Sequence, residues 1–328
     1  LANDHQYLTH GVLAVASLHL NLLHESPDMK LEMRKIAADQ MDRALALYRP
    51  EIGKVREKNA SALFACATLL VVYFFRTSIM DIEETLATNW LTLELPPDAV
   101  DQILHAVMRA IHGLRGAFAV LMPGWRWIAT GKLRTLALRK WWPKNRVPAS
   151  DRALDEDRRL CELESLWIRP GRDYEPYFDE LTEALAILRE TFALTSQVVV
   201  ESGVINPGEA IPYAYDDVNI GMLKDRGAVL QWAVRVRREF ITLIEEKNVE
   251  ALVLMGYWAI LPARIRHIWW LEGLGAGILT AVVAALGPEN RHLVEWPASI
   301  IGVDLNTLAK APPPGDPFII PDFEAMSF

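Results

Sequence analysis

The stretch NASALFACATLLVVYFF, residues 59–75, decides the fold class because it is apolar on almost every side over a helical length. Asn59 is a suitable residue for a helix N-terminal cap. A helix without a polar face belongs in the interior of a bundle. The stretch therefore predicts a central buried helix around which other helices pack.

The sequence on both sides of this stretch has helical periodicity. No alternating strand pattern of useful length is found. The predicted fold is all-α, a single large helical bundle-like domain with long loops. Further helices are predicted over residues 11–23, from Pro27 to about Tyr48, from Pro97 onward, and over residues 174–200, 221–246, 249–261 and 265–286.

Two segments lack this periodicity. Residues 77–97 are poorly patterned, and residues 139–159 are first basic and then mixed in charge, which favours a linker or mobile loop. The chain is accordingly divided into N-terminal helices over residues 1–76 and a longer helical part over residues 98–328.

Composition excludes several classes of function. The chain of 328 residues has a formal net charge of −8 and a pI near 5.6, which opposes direct binding to nucleic-acid phosphates. Its two cysteines, Cys66 and Cys161, are too few for a disulfide framework or a cysteine-rich zinc site and fit a reducing, intracellular compartment. The N-terminal sequence does not predict a signal peptide.

A membrane-spanning helix needs about 20 consecutive apolar residues. The best candidate at this stage, residues 273–287, is shorter and lies between Glu272 and a Pro-Glu-Asn turn. It is interpreted as a buried helix, and no stable membrane insertion is expected.

The same segment contains Gly273-x-Gly275-x-Gly277, which superficially resembles a dinucleotide-binding loop. That fingerprint requires a different spacing and a preceding strand, and Ile278 stands where its third glycine should be. Two interpretations remain open. The glycines serve either a close helix–helix contact or a backbone wall beside a bulky ligand.

The search for catalytic groups gives no convincing constellation. Asp216 and Asp217 resemble part of the magnesium-binding motif of helical terpene synthases, although a helix cap is the simpler interpretation. The histidines lack zinc-ligand spacing, so His10 and His19 are interpreted as core or interface residues. Cys66 lies among apolar residues where a thiol stays protonated. The sequence predicts no enzyme activity, no metal site and no cofactor.

The C-terminal third concentrates Trp, Tyr, Met and Gly in ALVLMGYWAILPARIRHIWWLEGLGAGILTAVVAALG, residues 251–287, and again in VEWPASIIG, residues 294–302. Large apolar walls with a few polar groups are typical of a small-molecule pocket. An ordinary core is the alternative.

Several segments together resemble the regulatory domain of fungal zinc-binuclear-cluster transcription factors, specifically the sterol uptake control branch. The matching stretches are LTHGVLAVASLHL, ADQMDRALALYRPEI, NASALFA, HGLRGAF, ALVLMGYWAILPAR, WWLEGLGAG and VEWP. Their order covers most of the chain. Gln40 replaces a histidine of the family pattern, and Tyr48 replaces a phenylalanine. At residues 16 and 17 the chain has Ala-Ser where the family pattern has Ser-Ala.

This resemblance implies an all-α homodimer, with dimerisation through residues 1–76 and a ligand-binding part over residues 98–328. Ergosterol would be bound in the C-terminal half. Bound sterol would hold the regulator in the cytoplasm, and its loss would allow nuclear entry and activation of sterol biosynthesis and uptake genes. DNA binding and zinc would reside in the six-cysteine cluster, which these residues do not contain. The expected pocket residues are Leu114, Phe118, Met255, Gly256, Trp258, Ile260, Trp269, Trp270, Leu271, Gly273, Leu274, Gly275 and Ile278.

By position, Arg115, Arg264, Arg266 and His267 are candidates to bind the sterol hydroxyl. Two alternatives remain: a dimerisation or repression module without a small ligand, and a magnesium-dependent helical enzyme of terpenoid metabolism that would use Asp216 and Asp217.

Overall fold

Four long helices build the N-terminal half of the protein in a computed structural model that describes residues 4–89, 94–131, 133–134, 142–200, 213–214, 222–223, 225–265 and 268–307. They are α1 (Gln6–Leu23), α2 (Pro27–Ile52), α3 (Glu57–Thr88) and α4 (Pro97–Thr130). The described helices that follow are shorter: α5 (Asp151–Glu162), α6 (Phe178–Gln197), α7 (Gln231–Arg235), α8 (Arg238–Glu245), α9 (Val249–Trp258), α10 (Ile260–Ala263), α11 (Leu274–Asn290) and α12 (Glu295–Ile301).

The all-α prediction is confirmed. The described strands are β1 (Val199–Val200), β2 (Tyr213–Ala214) and β3 (Met222–Leu223), which pair antiparallel in the order β1-β3-β2. Short 3-10 turns at Leu163–Leu166, Arg226–Ala228 and Arg291–Val294 complete the regular structure of the described residues.

Helix α3 is the central helix that residues 59–75 predict. Leu63, Cys66 and Phe75 are almost completely buried, and α3 packs along α4 and α1. Asn59 lies inside the helix rather than at its cap, where its Oδ1 accepts a hydrogen bond from the Arg56 backbone N–H at 2.7 Å. Asn59 therefore stabilises the start of α3 as predicted, but from the third position of the helix and not as its cap.

Helix α3 also continues thirteen residues beyond Phe75, through the segment that the sequence patterning left unassigned. Ile79, Met80 and Ile82 extend its buried surface, while acidic residues between them hide the periodicity. The division of the chain near residue 76 thus falls inside one helix. By length and composition alone α3 could cross a membrane, yet it packs against other helices as the core helix of this fold.

The charged segment at residues 139–159 is helical from Asp151, contrary to the prediction of a linker. Ser150 caps α5 by accepting a hydrogen bond from the Ala153 N–H at 3.2 Å. Leu160 and Glu156 are buried on one face of α5. Short amphipathic helices of this kind have few apolar residues, so their periodicity is easily missed.

The helix predicted over residues 265–286 begins only at Leu274 as α11. Gly273 has a φ of +87°, a left-handed conformation that ends the preceding turns and starts the helix. Residues 269–273 therefore form a non-helical segment, called here the tryptophan turn. Its position on α3 sets the geometry of the candidate site.

Candidate ligand-binding site

Most of the expected pocket residues form a closed apolar core between α9, α10 and α11. This core, called here the C-terminal core, is continuous with the main hydrophobic cluster of the domain. Its buried members among the expected residues are Leu114, Met255, Gly256, Trp258, Ile260, Leu271, Leu274, Gly275 and Ile278. These nine residues, which the sequence predicts to line one site, are therefore buried in one region of the fold.

Four expected residues lie outside the closed core. Phe118 is 41% exposed on α4, although Leu114 one turn earlier is buried. Trp269 and Trp270 are half-buried, and Gly273 is exposed. These three belong to the tryptophan turn, so the expected site divides into a packed interior and a more open edge.

Gly256 allows α9 to approach α11 closely. A Cβ at this position would lie 3.1 Å from Val294 Cγ1, 3.3 Å from Val282 Cγ1 and 3.5 Å from Leu279 Cδ1. All three neighbours are methyl groups at the ends of aliphatic side chains. The contact is tight, and it is made by the ends of three fully buried side chains.

Gly275 makes a different kind of contact. A Cβ there would meet the Ala263 Cβ, and it would lie 2.5 Å from the Ala263 backbone N and 2.6 Å from the Ala259 carbonyl oxygen. Backbone atoms of a helix cannot move aside individually. The first turn of α11 is therefore fixed against α10, and the close-packing interpretation of this glycine is confirmed.

Trp258 is buried with its polar group satisfied. Its Nε1–H donates to the Val229 carbonyl oxygen at 2.8 Å, and its ring lies 5.3 Å from that of Trp232. Trp232 in turn donates to the Ala184 carbonyl oxygen at 2.9 Å. The sequence analysis did not single out Trp232, because it precedes the apolar segment that begins at residue 251.

The tryptophan turn rests on the N-terminal helices. The Trp269 ring stacks on His19 of α1 at 4.8 Å between centroids, and Trp270 lies 5.8 Å from Phe75 of α3. A Cβ on Gly273 would lie 3.3 Å from Ile79 Cγ2 of α3. The turn thus connects the C-terminal core to α1 and α3. His19 is exposed and stacks on Trp269, so it is not a core residue, and its interface role stays a prediction.

Two of the proposed hydroxyl partners already have other partners. Arg115 donates to the Ala233 carbonyl oxygen at 2.9 Å and the Val236 carbonyl oxygen at 2.7 Å, and burial lowers its pKa. Arg264 forms a buried ion pair with Glu156 at 2.5 Å. Both arginines hold structural elements in place. The other two candidates, Arg266 and His267, lie outside the described residues.

Among the described residues, the other polar side chains that the sequence singles out form no metal site. Asp216 and Asp217 lie outside the described residues, and the described residues contain no group of three potential metal-binding side chains. His10 is hydrogen-bonded to Gln40 at 2.8 Å. Burial raises the pKa of Cys66 to about 12, so this thiol stays protonated at neutral pH as predicted.

Two surface clefts are found between the C-terminal end of α3 and the start of α4. Both contain Asp81 and Gln102, and neither includes a residue of the expected pocket. Asp81 is paired with Arg109 and lies 3.6 Å from Arg34. Both clefts are open to solvent and lined mainly by charged and polar residues, which does not suit a large apolar ligand.

Comparison with known proteins gives one informative match. A protein from Gibberella zeae named as a Zn(2)-C6 fungal-type transcription factor is 23% identical to this chain over 315 residues. The chain is similar to a fungal transcription factor. The alignment covers 94% of the chain and 56% of that relative. It supports the resemblance to fungal transcription factors and leaves the sterol branch a prediction.

The chain thus spans little more than half the length of the transcription factor that it matches. No family model matches the chain, and the comparison with solved structures gives no match.

Proposed function

We propose that this chain is the non-enzymatic regulatory domain of a fungal Zn(2)-C6-type transcription factor. The observation that carries the proposal is the similarity to such a factor over 94% of the chain. The matched region contains one continuous hydrophobic core that joins α1 to α12. DNA would be bound by a zinc cluster outside these 328 residues, because the two cysteines here cannot form a six-cysteine cluster.

The more specific proposal is that the domain senses a sterol, with ergosterol as the regulatory ligand. The resemblance of the C-terminal segments to the sterol uptake control branch supports it. A sterol is a rigid apolar plate with a single hydroxyl group, and burial of apolar surface contributes roughly 25 cal/mol per Å². The apolar residues around Gly256 have the chemistry that such a ligand needs.

A sterol would enter by separating α9 from α11 near Gly256. The methyl groups of Val282, Val294 and Leu279 fill this contact and would have to move. The backbone contact at Gly275 would stay closed and act as the pivot of the opening. The closed conformation described here would then be the sterol-free one.

Control of transcription would follow from a shift between the two conformations. A ligand shifts such an equilibrium only by its difference in affinity for the two states. We propose that the sterol-bound domain keeps the protein in the cytoplasm and that sterol depletion leads to nuclear entry and gene activation. No stable membrane insertion is part of this proposal.

The proposed partner in assembly is a second copy of the chain, bound through α1. Helix α1 has no charged residue. Val12, Leu13, Leu20 and Leu23 are exposed on one side of it, at the spacing of a helical stripe. This α1 stripe supports a homodimer, because exposed contiguous apolar surface marks interaction sites.

A ligand-free regulatory or repression module is the second candidate. The packing around Gly256 and Gly275 favours it, because the added Cβ atoms would meet side-chain methyl groups at one position and helix backbone at the other. No observation among the described residues favours the terpenoid enzyme.

Fusion of this chain to an unrelated DNA-binding domain tests the proposal in fungal cells that carry a matching reporter. We expect low expression with abundant sterol and high expression after sterol depletion. Gly256→Asp should give high expression in both conditions, whereas Gly116→Asp, at an open position, should behave like wild type. Equal activation by wild type in both conditions would favour the ligand-free module. Absence of activation from a stably expressed fusion would contradict a role in activation.

A further inference from the structure

Arg76 is a charged residue in the interior of the central helix. It follows the apolar run that defines α3 and is only 8% exposed. Its neighbours on the same face of α3 contact the tryptophan turn: Phe75 packs against Trp270, Ile79 against Gly273, and Met80 belongs to the cluster on which Trp269 packs. The helical spacing therefore places Arg76 beneath the turn.

The hydrogen-bonding capacity of Arg76 is not used. Its Nε–H is buried without a hydrogen-bond partner. Among the described residues, no ion pair includes Arg76, in contrast to Arg34, Arg109 and Arg264. A buried donor without a partner is destabilising, and more so when it belongs to a charged group. Such a group calls for an explanation beyond packing.

The surroundings of Arg76 restrict the ligand that could bind it. Burial lowers the pKa of Arg76, while the nearby carboxylates of Glu83 and Glu272 raise it. Glu83 Oε1 lies 4.0 Å from the position that a Cβ of Gly273 would occupy, at the edge of the turn. Two carboxylates around one guanidinium disfavour an anionic ligand. A neutral hydroxyl fits, because it can accept from Arg76 and donate to a carboxylate at the same time.

We propose that Arg76 donates a hydrogen bond to the hydroxyl oxygen of the ligand. The hydroxyl group in turn donates a hydrogen bond to the Glu83 carboxylate. This inference rests on the proposed sterol-sensing function and names the polar end of its site. The hydroxyl would lie under the tryptophan turn, and the apolar body would extend toward the C-terminal core. Ligand binding would thereby satisfy the buried guanidinium and couple α3 to the turn.

The test compares the binding of ergosterol with that of its 3-deoxy analogue, which lacks only the hydroxyl group. Wild type should bind the deoxy analogue about 10- to 100-fold more weakly, the range for a hydrogen bond to a charged group. Arg76→Met keeps most of the side-chain volume. It should reduce the ratio of the two dissociation constants, deoxy analogue to ergosterol, to near 1. Arg34→Met is the matched control, since Arg34 lies nearby but is paired with Glu84. It should retain the wild-type ratio.

Glu83→Gln provides a second variant that removes charge without removing volume, and it should reduce the ratio even if Arg76→Met does not fold. A wild-type preference for ergosteryl sulfate over ergosterol would overturn the hydroxyl assignment in favour of an anion site. An unchanged ratio in both Arg76→Met and Glu83→Gln would overturn the anchor and leave sterol sensing intact. Failure of folded wild-type protein to bind any of the three compounds would reject the sensing function and the anchor together.

Discussion

Gly256 and Gly275 both bring helices of the C-terminal core into close contact, but they do so against different atoms. Gly256 faces the methyl ends of Val282, Val294 and Leu279, whereas Gly275 faces the backbone of Ala259 and Ala263. Side-chain ends can shift one by one, whereas the backbone atoms of a packed helix move only together. We therefore expect the contact at Gly256 to yield and the contact at Gly275 to stay fixed.

The largest effect is expected where the contact is fixed. Gly275→Ala should lower the free energy of unfolding by about 3 kcal/mol or more, because the added methyl group overlaps backbone atoms of α10. Urea denaturation measures the change. Gly116→Ala is the control at an exposed helical position with open space, and it should raise stability by about 0.5–1 kcal/mol. Equal effects at the two glycines would contradict a fixed contact.

The next largest effect concerns the ion pair beside the fixed contact. Arg264→Met leaves Glu156 buried with only its 3.1 Å partner Arg152, and it should cost about 3 kcal/mol. Arg158→Met breaks an exposed pair with Asp155 on the same helix as Glu156 and should cost less than about 1 kcal/mol. The two variants are compared by thermal unfolding. A small loss at Arg264 would show that α10 is held by packing alone.

A smaller effect is expected where the contact can open. Gly256→Ala should lower the free energy of unfolding by no more than about 1 kcal/mol, because the methyl groups around it can shift by a few tenths of an ångström and alanine favours the helix. Denaturant unfolding in parallel with Gly275→Ala gives the comparison. A loss as large as that of Gly275→Ala would mean that α9 and α11 are as rigidly joined as α10 and α11.

The smallest effect on stability is expected at the α1 stripe. There the oligomeric state is the quantity to measure. Leu20→Glu should convert a dimer to a monomer in sedimentation experiments, with a change in unfolding free energy within about 0.5 kcal/mol. Ile300→Glu, at a residue of similar exposure on α12, should leave the assembly unchanged. A wild-type chain that is monomeric at all concentrations would exclude the proposed homodimer.

Much of the fold could be predicted from local sequence patterns. The apolar run at residues 59–75 gave the central helix, and the density of glycine and aromatic residues gave the C-terminal core. The helical end of α3 and the whole of α5 were missed, because interspersed charges obscure the periodicity of one buried side. The start of α11 was placed too early, since the apolar pattern runs through residues 268–273 without showing the positive φ of Gly273 that precedes the helix.

The site was predicted less completely than the fold. Local composition identified Gly256, Trp258 and Gly275, but it could not distinguish a contact with methyl groups from a contact with backbone. Arg76 lies almost two hundred residues from the tryptophan turn, so its position under that turn results from the packing of α3 and was not expected. The one local signal was a single charge directly after the apolar run at residues 59–75.

Equilibrium titration of the purified chain with tritiated ergosterol tests the central claim, that the contact at Gly256 opens to accept a sterol. We predict saturable binding at about one sterol per chain, lost in Gly256→Asp and retained in Gly116→Asp. Circular dichroism and cooperative unfolding establish that each variant is folded. Absence of saturable binding to folded wild-type protein, or equal binding by folded Gly256→Asp, would contradict the account.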